Sequence, residues 1–410
     1  MSAAPGPHPR PFTDHFLSVE ALSGLALLAA AVLALAWANS PLAHYYQALW
    51  HLPIGLGVAR YLPHHDLHFW VNDALMTVFF LVVGLEIRRE FHGGALADPK
   101  VALLPIIAAI GGVVVPALLF ALVNTEPETR RGWAIPTATD IAFAVGVLAL
   151  LGRNLPPALR MLLLTLAIID DIIAILVIAL VYSAGIRWAG FPLMALGIAL
   201  VLGLQWLGAR SMLAYVIPGA VVWFGMLRTG MHPTLAGVIL GLLTPVRADF
   251  GRRGRAPGAA PAGVTPLEYA EAALHPWVAF GIMPLFALAN AGVSLGGFDF
   301  TRGASRTVAL GIVLGLVVGK PLGIGLAAWL SVRMKLCTLP EGVQWRHILL
   351  LGVLGGIGFT VAIFVANLAF ADEQLLGTAK FAVLAASTLA AVLGLVLGRR
   401  QRRIPAVAGA

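Results

Sequence analysis

Ala158-Leu-Arg-Met-Leu-Leu-Leu-Thr-Leu-Ala-Ile-Ile-Asp-Asp-Ile-Ile-Ala-Ile-Leu-Val-Ile-Ala-Leu-Val-Tyr182 sets two adjacent carboxylates, Asp170 and Asp171, in the middle of a run that is otherwise almost wholly apolar. A helix needs about 20 apolar residues to cross a bilayer, and this run supplies them. At ~1.5 Å of rise per residue, both acids fall near the bilayer midplane. A charge there costs at least about 2.5–3.5 kcal/mol on insertion scales, so it needs a partner or a water-filled cavity.

The rest of the chain repeats the apolar pattern. Of its 410 residues 60% are apolar and 11% charged, against about 25% charged in soluble domains. Twelve segments are predicted to span, near 18–38, 69–87, 101–123, 132–151, 158–182, 191–208, 212–227, 231–245, 274–292, 307–331, 347–370 and 377–398. The chain thus reads as an all-α polytopic membrane protein. A tail over 1–17 precedes one transmembrane transport domain over 18–398, and a basic tail over 399–410 follows it. The tail before the first span is Pro-rich and polar, without the charged-then-apolar layout of a signal peptide. The two longest loops are 39–68 and 246–273, the second carrying the Gly/Pro/Arg-rich stretch Gly251–Gly263.

Charge gives the orientation. With Arg160 and Lys380, close to span ends, counted with the adjoining loops, alternate loops carry 18 Lys and Arg against 8 in the others, which leaves Lys320 deep in a span. Cytoplasmic loops hold the excess, so both termini are expected in the cytoplasm. The formal charge of +8 follows from the same asymmetry. Lacking aromatic interleaving, it does not indicate nucleic acid. The single cysteine, Cys337, excludes an intrachain disulfide.

Asp140 and Lys320 reach the same depth as the acid pair, while Asp73 and Glu86 lie towards opposite ends of the second span. Three carboxylates against one lysine leave a cavity that repels anions and suits a small hard cation. Carboxylates crowded together out of water also bind protons more readily. Cation and proton then compete for one site, which with alternating access is sufficient for antiport. Neighbours on a helix point about 100° apart, so Asp170 and Asp171 have different work, one facing the cavity and the other reaching a partner such as Lys320.

Two spans carry signs of interruption. Pro136 lies between Trp133 and Asp140 with Thr137 and Thr139 beside it, which removes a backbone donor and adds hydroxyls that compete for carbonyls. Gly355-Gly-Ile-Gly-Phe-Thr360 puts three glycines in mid-span, each weakening a helix by about 1 kcal/mol relative to Ala. These segments take corresponding places in the triplets of spans 3–5 and 10–12, seven spans apart. An odd offset predicts an inverted repeat with interrupted helices 4 and 11 crossing at midplane.

Ala134-Ile-Pro-Thr-Ala-Thr-Asp-Ile-Ala-Phe143, Ala167-Ile-Ile-Asp-Asp171, Gly319-Lys-Pro-Leu-Gly323 and Gly355-Gly-Ile-Gly-Phe-Thr360 resemble motifs of the NhaA-type sodium/proton antiporters. So do Val71-Asn-Asp-Ala-Leu-Met76, Gly84-Leu-Glu-Ile-Arg-Arg-Glu90, His232-Pro-Thr-Leu-Ala-Gly237 and Leu274-His-Pro-Trp277, and the resemblance runs over about 14–398. That family is itself an example of inverted-repeat architecture. The resemblance implies that Asp171 is the essential ligand of Na⁺ and carrier of protons. It implies that Asp170 shares the Na⁺ and proton site as the switchable partner of Lys320, and that Thr139 is an auxiliary oxygen ligand. Asp140 and Lys320 would balance the crossed half-helices. Glu86, Arg89, Glu90, Glu271 and His275 match a cytoplasmic cluster for pH-dependent activation, and His232 matches a further pH-related histidine. Ala272 stands where that cluster often has a histidine.

The resemblance further implies electrogenic exchange of Na⁺ or Li⁺ for a larger number of protons in the bacterial inner membrane, without a cofactor. A homodimer is implied through a hairpin in loop 39–68. The His64-His-Asp-Leu-His68 run there reads as solvated rather than metal-binding. A sodium-coupled solute symporter is the rival on the same scaffold, and would call for a larger polar cavity with neutral ligands. An intramembrane aspartyl protease would need a Gly-x-Gly-Asp signature that neither Asp140 nor the acid pair carries, so the chain is read as a transporter and not as an enzyme.

Overall fold

The computed structural model describes residues 12–54, 65–152, 155–183, 185–209, 211–246, 264–294, 296 and 303–401, with side chains in the first helix from Ala21 onward. The Gly251–Gly263 stretch and His64 lie outside the described residues.

Helix α1 (Phe12–Ala38) leads into a short helix α2 (Ala43–Trp50) and two paired strands, β1 (Pro53–Ile54) and β2 (His65–Asp66). The strands are antiparallel, with Pro53 opposite Asp66 and Ile54 opposite His65. Asp66 then caps the next helix by accepting from the Phe69 amide at 2.9 Å. Helices α3 (Leu67–Gly93), α4 (Pro99–Val123), α7 (Pro157–Val181), α8 (Trp188–Trp206), α9 (Met212–Thr229), α11 (Pro266–Asn290), α12 (Gly303–Arg333) and α15 (Glu373–Gln401) are each long and apolar enough to cross a membrane, as is α1. Two helix pairs, each bent at a short break, are apolar enough to cross only when taken together: α5 (Pro127–Thr137) with α6 (Ile141–Leu150) at 45°, and α13 (Trp345–Gly355) with α14 (Phe359–Ala369) at 46°.

Among the described residues there are thus nine candidate spans, or eleven with each bent pair counted as one, where the apolar pattern predicts twelve. The remaining segment, predicted over 231–245, forms only the nine-residue helix α10 (Leu235–Leu243). The nine residues of α10 are all apolar or glycine, but the His232–Thr234 stretch ahead of the helix is not helical. Hydropathy counts residues and is blind to that turn.

A second difference concerns Lys380, the fourth residue of the predicted span 377–398, which the charge count assigns to the preceding loop. Helix α15 begins before the expected edge, and Lys380 is buried with 9% exposure. Its Nζ donates to Asn290 Oδ1 at 3.2 Å, and the Asn367 amide donates to the same oxygen at 2.8 Å. Asn290 in turn donates to Asn72 Oδ1 at 2.7 Å. One polar knot thus ties α3, α11, α14 and α15 together, at the end of α3 far from Glu86.

The broken helices are held against an intimate helix pair. A Cβ on Gly111 of α4 would lie 2.3 Å from the carbonyl oxygen of Gly323 on α12, and one on Gly323 would lie 2.1 Å from the Gly111 oxygen. Only glycine permits that approach, and close backbone packing substitutes in lipid for the hydrophobic drive available in water. A wider helical turn at Gly315–Gly319 immediately precedes Lys320, with Gly315 against Pro136 of the first break.

Candidate functional site

The site is built from the two chain breaks. Between α5 and α6 the chain is extended at Ala138 and Asp140. Pro136 sits within the tight turn that ends α5. Between α13 and α14 it passes through Gly356, Ile357 and Gly358. The breaks touch: the Asp140 amide donates to the Ile357 carbonyl at 2.7 Å. A helix beginning in mid-bundle leaves up to four N–H groups without intrahelical partners, and carries partial positive charge there.

Asp140 answers two such ends at once. Its Oδ1 accepts from the Phe143 amide of α6 at 3.0 Å. Its Oδ2 accepts from the Thr360 amide of α14 at 3.1 Å and also from the Thr360 hydroxyl. The opposite pole is met differently. Lys320 reaches no half-helix carbonyl directly; its Nζ donates to Asp170 Oδ2 at 2.5 Å and to Thr139 Oγ1 at 3.0 Å. The Thr139 hydroxyl lies 2.8 Å from the carbonyl of Gly355, the last residue of α13, and 2.7 Å from Asp170 Oδ2, donating to one of them. Lysine charge and helix end are thereby linked through a hydroxyl.

Asp170, Lys320, Thr139, Asp140 and Thr360 are all essentially buried. Among the described residues, Asp170 Oδ1 is buried without a hydrogen-bond partner. Asp171 is 4% exposed, and among the described residues its carboxylate has no hydrogen-bond partner. It instead lines a cavity of about 120 Å³ together with Asp140, Glu86, Arg89, Glu271 and His275. The neighbouring acids on α7 therefore diverge, one into a lysine pair and the other into the cavity.

Away from Asp171 the cavity is framed by charge. Arg89 of α3 pairs with Glu271 of α11, and its second nitrogen lies 3.8 Å from Glu90. Glu90 also accepts from the Ala95 amide at 2.8 Å, which fixes the end of α3. The five residues matched to the pH-response cluster, Glu86, Arg89, Glu90, Glu271 and His275, thus line one cavity. His232 does not join them: its ring lies 3.0 Å from the Tyr182 carbonyl, at the far end of α7. No group of three or more His, Cys, Asp or Glu suited to a metal ion occurs among the described residues, the His65–His68 run included.

Sequence reasoning did not assign Thr360 to the site, although its motif had been singled out for the glycines. The available signal was a hydroxyl residue directly after a helix break.

A sequence profile of the family described as Na⁺/H⁺ antiporter 1 matches residues 14–397. The chain belongs to this family. Curated relatives of this antiporter family agree. A protein of Acidovorax sp. (strain JS42) named Na(+)/H(+) antiporter NhaA is 59% identical over 382 residues, covering 92% of this chain and 89% of its own. One of the same name from Cupriavidus necator is 54% identical over 416 residues, covering 94% and 89%. The "Na(+)/H(+) antiporter NhaA 2" of Pseudomonas putida (strain KT2440) is 52% identical, covering 94% and 92%. Family and apolar helices together make the chain a multi-pass membrane antiporter.

Proposed function

We propose that the protein exports Na⁺, and Li⁺ in its place, across the bacterial inner membrane in exchange for protons, cation and proton competing at Asp171 and Asp170. The observation that carries this reading is the divergence of the two acids, with Asp171 facing a charged cavity while Asp170 is tied to Lys320. The names of the relatives, Na(+)/H(+) antiporters, support Na⁺ and H⁺ as the exchanged ions.

In this reading a cation enters along the cavity past Glu86 and meets Asp171, displacing the proton held there. Asp170 supplies the second carboxylate, through the buried Oδ1 that has no other partner, and Thr139 adds a neutral oxygen. Oxygen donors of this kind suit a hard cation. Engaging Asp170 weakens its pair with Lys320, so ion binding and the state of the lysine are linked. Access then alternates to the other side, where protons replace the ion. With two carboxylates and a lysine taking part, more protons than sodium ions cross per cycle, and the exchange is electrogenic.

The same proposal includes twelve transmembrane segments with α10 counted as one, an inverted repeat, and crossed breaks whose ends Asp140 and Lys320 balance. It places both termini in the cytoplasm, and assigns pH activation to Glu86, Arg89, Glu90, Glu271 and His275. His232 enters separately, from the far end of α7. A homodimer formed through the β1–β2 hairpin completes it.

The test is sodium-dependent proton movement in inverted vesicles or proteoliposomes followed with a pH probe. Addition of Na⁺ or Li⁺ dequenches the probe, K⁺ does little, and Asp171→Asn gives no response. Full activity in that variant would sink the mechanism.

A further inference from the structure

We propose that Ser387 on α15 is a positioning residue for the exchange reaction, its hydroxyl fixing where the N-terminus of half-helix α14 stands. The Phe359 amide, first of α14, donates to Ser387 Oγ at 3.0 Å, and Ser387 is 2% exposed. A half-helix that starts inside a bundle finds no water for its first amides, so each needs a protein acceptor. Two successive amides of α14 are met from two different elements. Thr360 goes to Asp140, the cap of α6, while Phe359 goes to the hydroxyl of α15.

That division of labour matters because Asp140 caps both half-helices with one carboxylate. With Ser387 in place, the α14 terminus is located by two acceptors on separate helices, and Asp140 keeps its second oxygen for α6. Without it, Asp140 is the anchor that remains, and any adjustment of α14 is transmitted to the carboxylate that lines the cavity beside Asp171. The extended link at Ile357 moves with it, since that carbonyl accepts from the Asp140 amide. The next residue on α15 provides an internal contrast: the Thr388 hydroxyl donates to the Leu384 carbonyl of its own helix at 2.8 Å and faces outwards.

The inference rests on the antiport reading. The experiment compares Ser387→Ala, Ser387→Thr and Thr388→Ala in proteoliposomes, reading the apparent KM for Na⁺, the maximal rate and the pH profile at matched protein. Loss of one buried hydrogen bond raises the apparent KM about two- to tenfold in Ser387→Ala and displaces the pH profile. Ser387→Thr restores both, and Thr388→Ala matches the parent. An unchanged KM and pH profile in Ser387→Ala, with only the amount of protein reduced, overturns the proposal. Should that variant fail to accumulate, Ser387→Cys replaces it, since a thiol is a weaker acceptor of similar size; a parental KM there is equally fatal. Absence of sodium-dependent proton movement in the parent would instead remove the antiport reading itself.

Discussion

Asp140 and Thr360 are joined twice, through the threonine amide at 3.1 Å and through its hydroxyl, across two helices that are each interrupted at this point. Thr360→Val keeps the shape and the amide contact while deleting the hydroxyl. We expect it to lower thermal stability by about 1–3 kcal/mol, the range for removing one partner of a buried hydrogen bond to a charged group. Thr360→Ser should recover most of that loss. A melting temperature unchanged in Thr360→Val would show that the amide alone holds the joint.

Lys320 and Asp170 form a buried ion pair, and breaking such a pair from one side typically costs about 3–5 kcal/mol. Lys320→Met should therefore destabilise strongly, as should Lys320→Ala. The double variant Lys320→Met with Asp170→Asn removes both charges, and is expected to melt above the single Lys320→Met. Additive losses in that cycle, read by thermal unfolding in detergent, would contradict a direct pair.

Asp171 leads to an outcome of opposite sign. It is buried, and among the described residues it has no hydrogen-bond partner, so its carboxylate contributes nothing that an amide would lose. Asp171→Asn should abolish exchange while leaving the melting temperature equal to or above that of the parent. A fall comparable to that of Lys320→Met would reveal a structural role.

Asp66 gives a pH dependence on the hairpin, outside the spans. Burial alone would raise its carboxyl, but the Phe69 amide and His51, 3.1 Å away, outweigh it and hold the group below its ordinary value. A carboxyl lowered in the folded state stabilises fully above its unfolded value of about 3.9. That contribution is lost as pH falls through the lower folded value. Asp66→Asn should thus loosen the hairpin at neutral pH, seen as faster hydrogen exchange over 43–54, and the difference from the parent should fade well below about pH 4.

Much of this site was legible because lipid makes a charge conspicuous. Asp140, Asp170, Asp171 and Lys320 stand out against apolar neighbours, and their depth follows from counting residues along a helix. Pro136 and the glycines at 355–358 mark the breaks for similar reasons of backbone chemistry. What sequence does not carry is the identity of a partner across the bundle. Thr360 and Ser387 are ordinary polar residues for a membrane helix until the half-helix amides are seen to point at Asp140 and at the serine. Lys380 was misplaced because it lies close to a predicted edge, where a few residues decide between loop and core. For α10, a local turn rather than composition ended the helix.

The bond from the Asp140 amide to the Ile357 carbonyl is made of main chain alone. Alanine at Ile357 leaves it in place, and alanine at Asp140 removes the carboxylate contacts at the same time, so a survey that exchanged every residue for alanine would never isolate it. Only an edit to the backbone itself, such as an ester in place of the amide at 140, would expose how much the two halves of the molecule depend on it.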